Sequence, residues 1–196
     1  MNRPRLLRPA LLLLAALVAQ GGAVAREGRP PTQLPAEALD VVTSARGIQF
    51  NGSPKDVPAL HLVCDAHCPY CAKLHAQLAT DFPERAVRWV PIAYFRADSA
   101  ALAARILSSS DPVAALDGNY RTYDFAARRG GHHAMDGRAG MLDYEHGVLR
   151  QHWREWGGYT PMVLAPDAQG RLYRARDARP SSIRALLETV AGGGSR

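Results

Sequence analysis

The chain has 196 residues, 47% of them hydrophobic and 21% charged, with a formal charge of +6. That apolar fraction builds a core and excludes a disordered chain; three cysteines are too few for a disulfide framework. The basic residues stand in ones and twos, which gives no case for nucleic-acid binding.

In chain order, Arg3, Arg5 and Arg8 precede an apolar run from Ala10 to Ala19 and the small-residue string "AVA" at 23–25. This is the layout of a cleaved Sec signal over residues 1–25. The apolar run is about ten residues long, against the roughly 20 that a membrane span needs. Its removal takes three arginines and no acids, so +6 becomes +3. The remainder, about 171 residues, suits one domain.

"REGRPPTQLP" at 26–35 is polar and proline-rich and reads as an exposed lead-in, followed by a short helix over 36–45. In "GIQFNGSPKD", Ile48 and Phe50 alternate ahead of an Asn51-Gly52 turn. "ALHLVC", 59–64, is apolar throughout, as a strand covered on both faces requires. Pro69 suits a first helical turn, and Cys71, Leu74, His75 and Leu78 form the inward stripe behind it. "AVRWVPIAYF", 86–95, is a second strand, in which Pro91 argues for an edge or an irregularity.

A helix starts near Ser99 with Ala101, Leu102, Ile106 and Leu107 on one side, and Asp111-Pro112 opens another that carries Val113, Leu116, Tyr120 and Tyr123. Residues 128–140, "RRGGHHAMDGRAG", have four glycines and no period, and read as a loop. Val148, Leu149, His152, Trp153 and Trp156 mark an amphipathic helix stopped by Gly157-Gly158. A hairpin follows, with a strand over 161–165, a turn over 167–170 and a strand from Leu172, before a closing helix from Pro180. The pattern predicts a four- or five-stranded mixed sheet flanked by helices, with no internal repeat.

All three cysteines fall in "LHLVCDAHCPYCAKL", residues 60–74. Cys68-Pro69-Tyr70-Cys71 reads as a redox dithiol. A helix starting at Cys68 aims free N–H groups and the positive end of its dipole at that sulfur, which favours thiolate. Cys71, one turn on, would resolve a mixed disulfide. A protonated His67 beside Cys68 would favour thiolate further; an exposed, indifferent His67 is the competing reading. Cys64 ends an apolar strand and reads as a packed thiol.

Other readings use the same sulfurs. "CDAHCP" matches Sco-type copper(I) chaperones, with Cys64, Cys68 and a histidine such as His132, His133 or His146 as ligands. The C-x₃-C-x-aromatic-C string, through Tyr70, matches radical SAM enzymes, against which stand export and length. Zinc would need further ligands, and no second CxxC exists. His75 reads as a hydrogen-bonded core residue, Trp153 and Trp156 as packing, and Asp143 and Glu145 show no partner for acid–base work.

"GSPKDVPALHLVCDAHCPYCAKLH" resembles the active-site strand and helix of the DsbC and DsbG disulfide isomerases, with Asp65, Cys68, Tyr70, Cys71, Leu74 and His75 on the family pattern. "ARILSSSDPVAAL" resembles the family's insert helices, and "LRQHWREWGGYTP" the approach to its cis-proline. The likeness spans residues 47–192, after a lead-in over 26–46 and before a tail at 193–196. It implies an α/β thioredoxin-like fold with a helical insertion, about 99–157, before the cis-Pro hairpin. It implies an exported, periplasmic thiol:disulfide oxidoreductase or isomerase without cofactor or metal. Cys68 would be the nucleophile and Cys71 its partner in a redox disulfide. Pro69, Tyr70, Thr160 and Pro161 would shape the substrate groove, and His67 and Asp65 are candidates for tuning the thiol. Protein thiols or disulfides would be the substrates, and a membrane protein of the DsbD kind the electron donor. Two departures stand out. The family's N-terminal dimerisation domain has no counterpart here, which implies a monomer, and His67 replaces a residue that is usually uncharged.

Overall fold

The computed structural model describes residues 30–53, 57, 59–131, 137–138 and 140–192. The expected signal peptide, the His132-His133 pair and the 193–196 tail lie outside the described residues. The elements run β1 (Thr32–Gln33), α1 (Ala38–Ser44), β2 (Ile48–Phe50), β3 (Leu60–Cys64), α2 (Pro69–Asp81) and β4 (Val87–Pro91). Then come α3 (Ser99–Leu107), α4 (Pro112–Arg121), α5 (Tyr144–Glu155), β5 (Met162–Pro166), β6 (Leu172–Arg174) and α6 (Pro180–Gly192).

The strands form one sheet in the order β1-β6-β5-β3-β4-β2. β3 runs parallel to β4 and antiparallel to β5. Every residue of β3 is buried, because helices cover both faces. Alternation assigns the faces. Leu60, Leu62 and Cys64 join Val87, Trp89 and Val163 in a core covered by α2, α3, α4 and α6. Val63, Val90, Met162 and Leu164 face the other way, under Val42 of α1 and Leu149 and Trp153 of α5. No described helix is long and apolar enough to cross a membrane.

The sheet has one strand more than the sequence predicts. Thr32 and Gln33 pair with Arg174 and Tyr173 of β6, and the Leu34 N–H donates to the Leu172 carbonyl at 2.8 Å. Two exposed residues between prolines carry no alternation, so their composition reads as lead-in. It is the open edge of β6 that makes them a strand. Pro91 ends an internal strand rather than an edge: β2 pairs only as far as Trp89, so the missing N–H at position 91 breaks no ladder there.

Helix ends follow their predicted signals. The Asp111 side chain accepts the Ala114 N–H at 2.9 Å at the start of α4. α5 stops where Gly157 and Gly158 take φ of +130° and +64°, with the Gly158 N–H returned to the Trp153 carbonyl at 2.9 Å. Helices α3, α4 and α5 all lie between β4 and β5, where the insertion is expected.

Candidate active site

The site is built on the turn from β3 into α2. Cys68 is the N-cap of α2 and Pro69 its first residue, so the helix starts at the expected sulfur. The Cys68 N–H donates to the Asp65 carbonyl at 3.0 Å, and the Cys71 N–H to the Cys68 carbonyl at 3.1 Å.

Asp65 is fully buried and its carboxylate is engaged four times. Oδ1 accepts the His67 N–H at 2.8 Å and the Ser99 hydroxyl at 2.9 Å. Oδ2 accepts the N–H groups of Tyr94 and Phe95 at 2.8 and 2.9 Å. A carboxylate so enclosed ties the active turn to the segment between β4 and α3. Charge-assisted bonds of this kind are the stronger class.

The carbonyls of the turn are held from the insertion. Tyr120 donates its hydroxyl to the Asp65 carbonyl (3.2 Å), Asn119 its amide to Ala66 (2.9 Å), and Tyr123 its hydroxyl to His67 (2.6 Å). The Trp89 indole N–H in turn donates to the Tyr120 hydroxyl at 3.0 Å. The sequence places the two tyrosines on the helix opened by Asp111-Pro112 and does not single out Asn119. The available signal is three polar-tipped side chains within five positions, at the end of α4 and just beyond it.

Neither reading of His67 matches its surroundings. Its side chain is 0% exposed, so it is not an indifferent surface residue. Nδ1 accepts the Gly130 N–H at 3.0 Å, which places the proton on Nε2, 3.2 Å from Asp98 Oδ1. Burial lowers its pKa, with Asp98 and Asp65 opposing. The neutral ring therefore supplies no cation beside Cys68, and acts as a strut between the turn and Gly130. A side chain at Gly130 would collide with Asn119 and the Ala66 carbonyl, so only glycine brings this N–H so close.

The structure brings all three sulfurs together as free thiols. Cys68 is 1% exposed and donates to the Thr160 carbonyl at 3.7 Å. Cys71 lies on the inward stripe of α2, in one buried cluster with Cys68 and Cys64. The helix-start argument needs correction for this packed, reduced arrangement. The neighbouring Cys71 side chain, then burial, push the Cys68 thiol up, against the opposing pull of the Thr160 side chain and the Cys71 N–H. Burial likewise raises Cys71 and Cys64. The oriented N–H of the first turn is present, but desolvation and a neighbouring sulfur outweigh it.

Beside the dithiol lies a cleft of about 330 Å³ lined by Tyr70, Lys73, Leu74, Gln77, Tyr159, Thr160, Pro161 and residues 177–179. The Thr160–Pro161 bond is cis. Tyr70, Thr160 and Pro161 thus meet at one cleft, whereas Pro69 does not line it. Tyr70 is 65% exposed, and Lys73 Nζ sits 5.9 Å from its ring and 5.7 Å from that of Phe125. Lys73, Tyr159 and the 177–179 segment are not singled out by the sequence reading; only the closure of the sheet brings residues so distant together.

His146, considered as a copper ligand, lies on α5 with Nε2 2.9 Å from the Arg46 carbonyl, in the helix layer on the sheet's opposite face. Among the described residues no three His, Cys, Asp or Glu side chains are grouped to hold a metal ion. His75 is 3.4 Å from Asp117 and packs between the rings of Phe50 and Tyr120, as a core residue.

A mixed sheet, a dithiol at the head of the helix after its central strand, and a cis-proline opposite define a thioredoxin-like fold. A disulfide interchange protein from Neisseria gonorrhoeae is similar to this chain over 78% of its length and 96% of the other's, with a TM-score of 0.51 and 15% identity. A periplasmic thioredoxin-like protein from Salmonella enterica serovar Typhimurium gives a TM-score of 0.49 and 18% identity, over 81% and 98% of the two chains. ScsC from Proteus mirabilis, a linker-deletion mutant, gives 0.48 and 17%, over 81% and 84%. No protein-family model and no curated protein matches the sequence.

Proposed function

We propose that this protein is an exported thiol:disulfide oxidoreductase that works through Cys68 and Cys71. The observation that carries the reading is the Cys68 sulfur at the head of α2, with Cys71 in contact beneath it and the Thr160 carbonyl opposite, beside a cleft. A Cys68 thiolate attacks one sulfur of a substrate disulfide; the substrate's other sulfur leaves with the electron pair and takes a proton. Cys71, deprotonated, then attacks Cys68, which closes the internal disulfide and frees the second substrate thiol. The substrate is oxidant and the protein is oxidised by two electrons.

The sulfur's surroundings support a direction. A reduced form stabilised as thiolate makes a strong oxidant. Cys68 is buried and raised instead, so its surroundings do not stabilise the thiolate, which supports reductase and isomerase action of the DsbC/DsbG type over oxidation. Protein substrates fit a cleft that offers Tyr70, Tyr159 and the backbone beside Pro161 to an extended chain. A periplasmic setting, a monomeric state and re-reduction by a membrane donor of the DsbD kind complete the proposal.

Insulin reduction by the mature chain is the test. Turnover is expected in the wild type and absent in Cys68→Ser. Cys71→Ser is expected to accumulate a mixed disulfide at Cys68. Undiminished turnover in Cys68→Ser contradicts the reading.

A further inference from the structure

The chemistry above leaves Cys64 idle, yet the fold sets it against a sulfur that is not. Cys64 closes β3 with its side chain on the α2 face, in line with Leu60 and Leu62. Cys71 occupies the buried stripe of α2 and belongs to the same core cluster. Cys71 shares one buried cluster with Cys64 and Cys68, and both sulfurs and the Asp65 N–H, the peptide group next to Cys64, act on its thiol. From the other side the Tyr120 hydroxyl, bonded to the Asp65 carbonyl at 3.2 Å, also reaches Cys64. Cys71 therefore has two thiols as neighbours, each 1% exposed, one at the end of β3 and one at the head of α2.

Resting on the dithiol reading, we propose that Cys64 is a third redox-active thiol, which competes with Cys68 for Cys71 and gives the protein a second, fully internal oxidised form. The exchange is balanced within the chain. Cys64, deprotonated, attacks the Cys71 sulfur of the Cys68–Cys71 disulfide. The Cys64–Cys71 bond forms as the Cys68–Cys71 bond breaks, and Cys68 leaves with the electron pair and takes up the proton that Cys64 lost. Nothing is oxidised or reduced overall.

The second form has a distinct chemistry. Cys68 is a free thiol although the chain is oxidised. When Cys68 then attacks a substrate disulfide, Cys71 is tied to Cys64 and does not resolve the adduct. The mixed disulfide persists until another thiol of the same substrate displaces Cys68, which shuffles the substrate's bonds without net reduction. A monomeric protein would in this way switch from reduction to isomerisation.

The test uses the mature chain equilibrated with oxidised glutathione, quenched in acid and denatured. Free thiols are alkylated, disulfides are then reduced and alkylated with a second reagent, and cleavage before Asp65 separates Cys64 from the other two. Cys68→Ser is expected to fall from two free thiols per chain to none, as a monomer without bound glutathione. Oxidised wild type is expected to carry the first label on Cys68 as well as on Cys64. A parallel Cys68→Ala chain, with circular dichroism on both, covers a failure of the serine variant to fold. A Cys68 variant that keeps two free thiols, or takes glutathione on Cys71 beside a free Cys64, overturns the proposal; so does oxidised wild type whose only free thiol is Cys64. Either result leaves the dithiol reading standing if wild type closes Cys68–Cys71, whereas failure of wild type to form any bridge sinks the dithiol reading itself.

Discussion

Asp65 and His67 show how a side chain's role is set by what encloses it. Asp65 accepts four hydrogen bonds and is 0% exposed, so removing the carboxylate strands four donors at once. Hydrogen bonds to charged groups contribute about 1.5–3 kcal/mol each, and an orphaned buried donor costs about as much again. Asp65→Ala is expected to lower unfolding stability by about 3 kcal/mol or more, read by urea titration; a loss under 1 kcal/mol would show that the turn holds itself. The cysteine spacing and the turn's proline were legible in the sequence. The environment of each sulfur was not, because the carbonyl that Cys68 meets belongs to Thr160, which is 92 positions away. His67 was illegible for the same reason, its partners being Asp98 and Gly130.

At the scale of elements, α4 and the segment after it act as a clamp on the active turn. Asn119, Tyr120, Tyr123 and Gly130 grip residues 65–67 through four hydrogen bonds, so the insertion is part of the site's framework. Gly130→Ala is expected to push the 124–131 segment away from His67 and Asn119. The expected outcome is faster amide exchange at residues 66–68 and insulin turnover at least tenfold lower; unchanged exchange there would show that the other three bonds hold the turn alone. Elements with a strong period or a cap were readable in advance: β3 from its apolar run, α4 from Asp111-Pro112, and the end of α5 from two glycines. β1 was not, since two residues carry no period and the edge they complete lies 140 positions further on. Gly130 was legible as a loop residue, but not as one that reaches the site.

Across the whole molecule the buried histidines set a pH dependence. Burial, with Arg88 assisting, lowers His61 to about 4, and burial also lowers His67, His75 and His146. Between pH 6.5 and 4 the unfolded chain binds protons that the folded chain refuses. Stability is therefore full above pH 6.5 and falls as pH drops through that window. His61 alone accounts for about 3 kcal/mol, at 1.36 kcal/mol per unit. Urea unfolding at pH 7.5 and 4.5 is expected to show this loss, with a shallower slope in His61→Asn; equal slopes would assign the acid sensitivity elsewhere.

The function argued for the molecule depends on one couple, Cys68 with Cys71, and the most direct measurement isolates it. In Cys64→Ser only these two sulfurs remain, and the chain is equilibrated across glutathione buffers from reducing to oxidising. We expect one two-electron transition that converts two free thiols into an internal bridge between positions 68 and 71, reversed by reductant, with a more reducing midpoint than that of a strong oxidant such as DsbA. Two thiols that stay free, or that end as separate glutathione adducts at every ratio, would contradict the account.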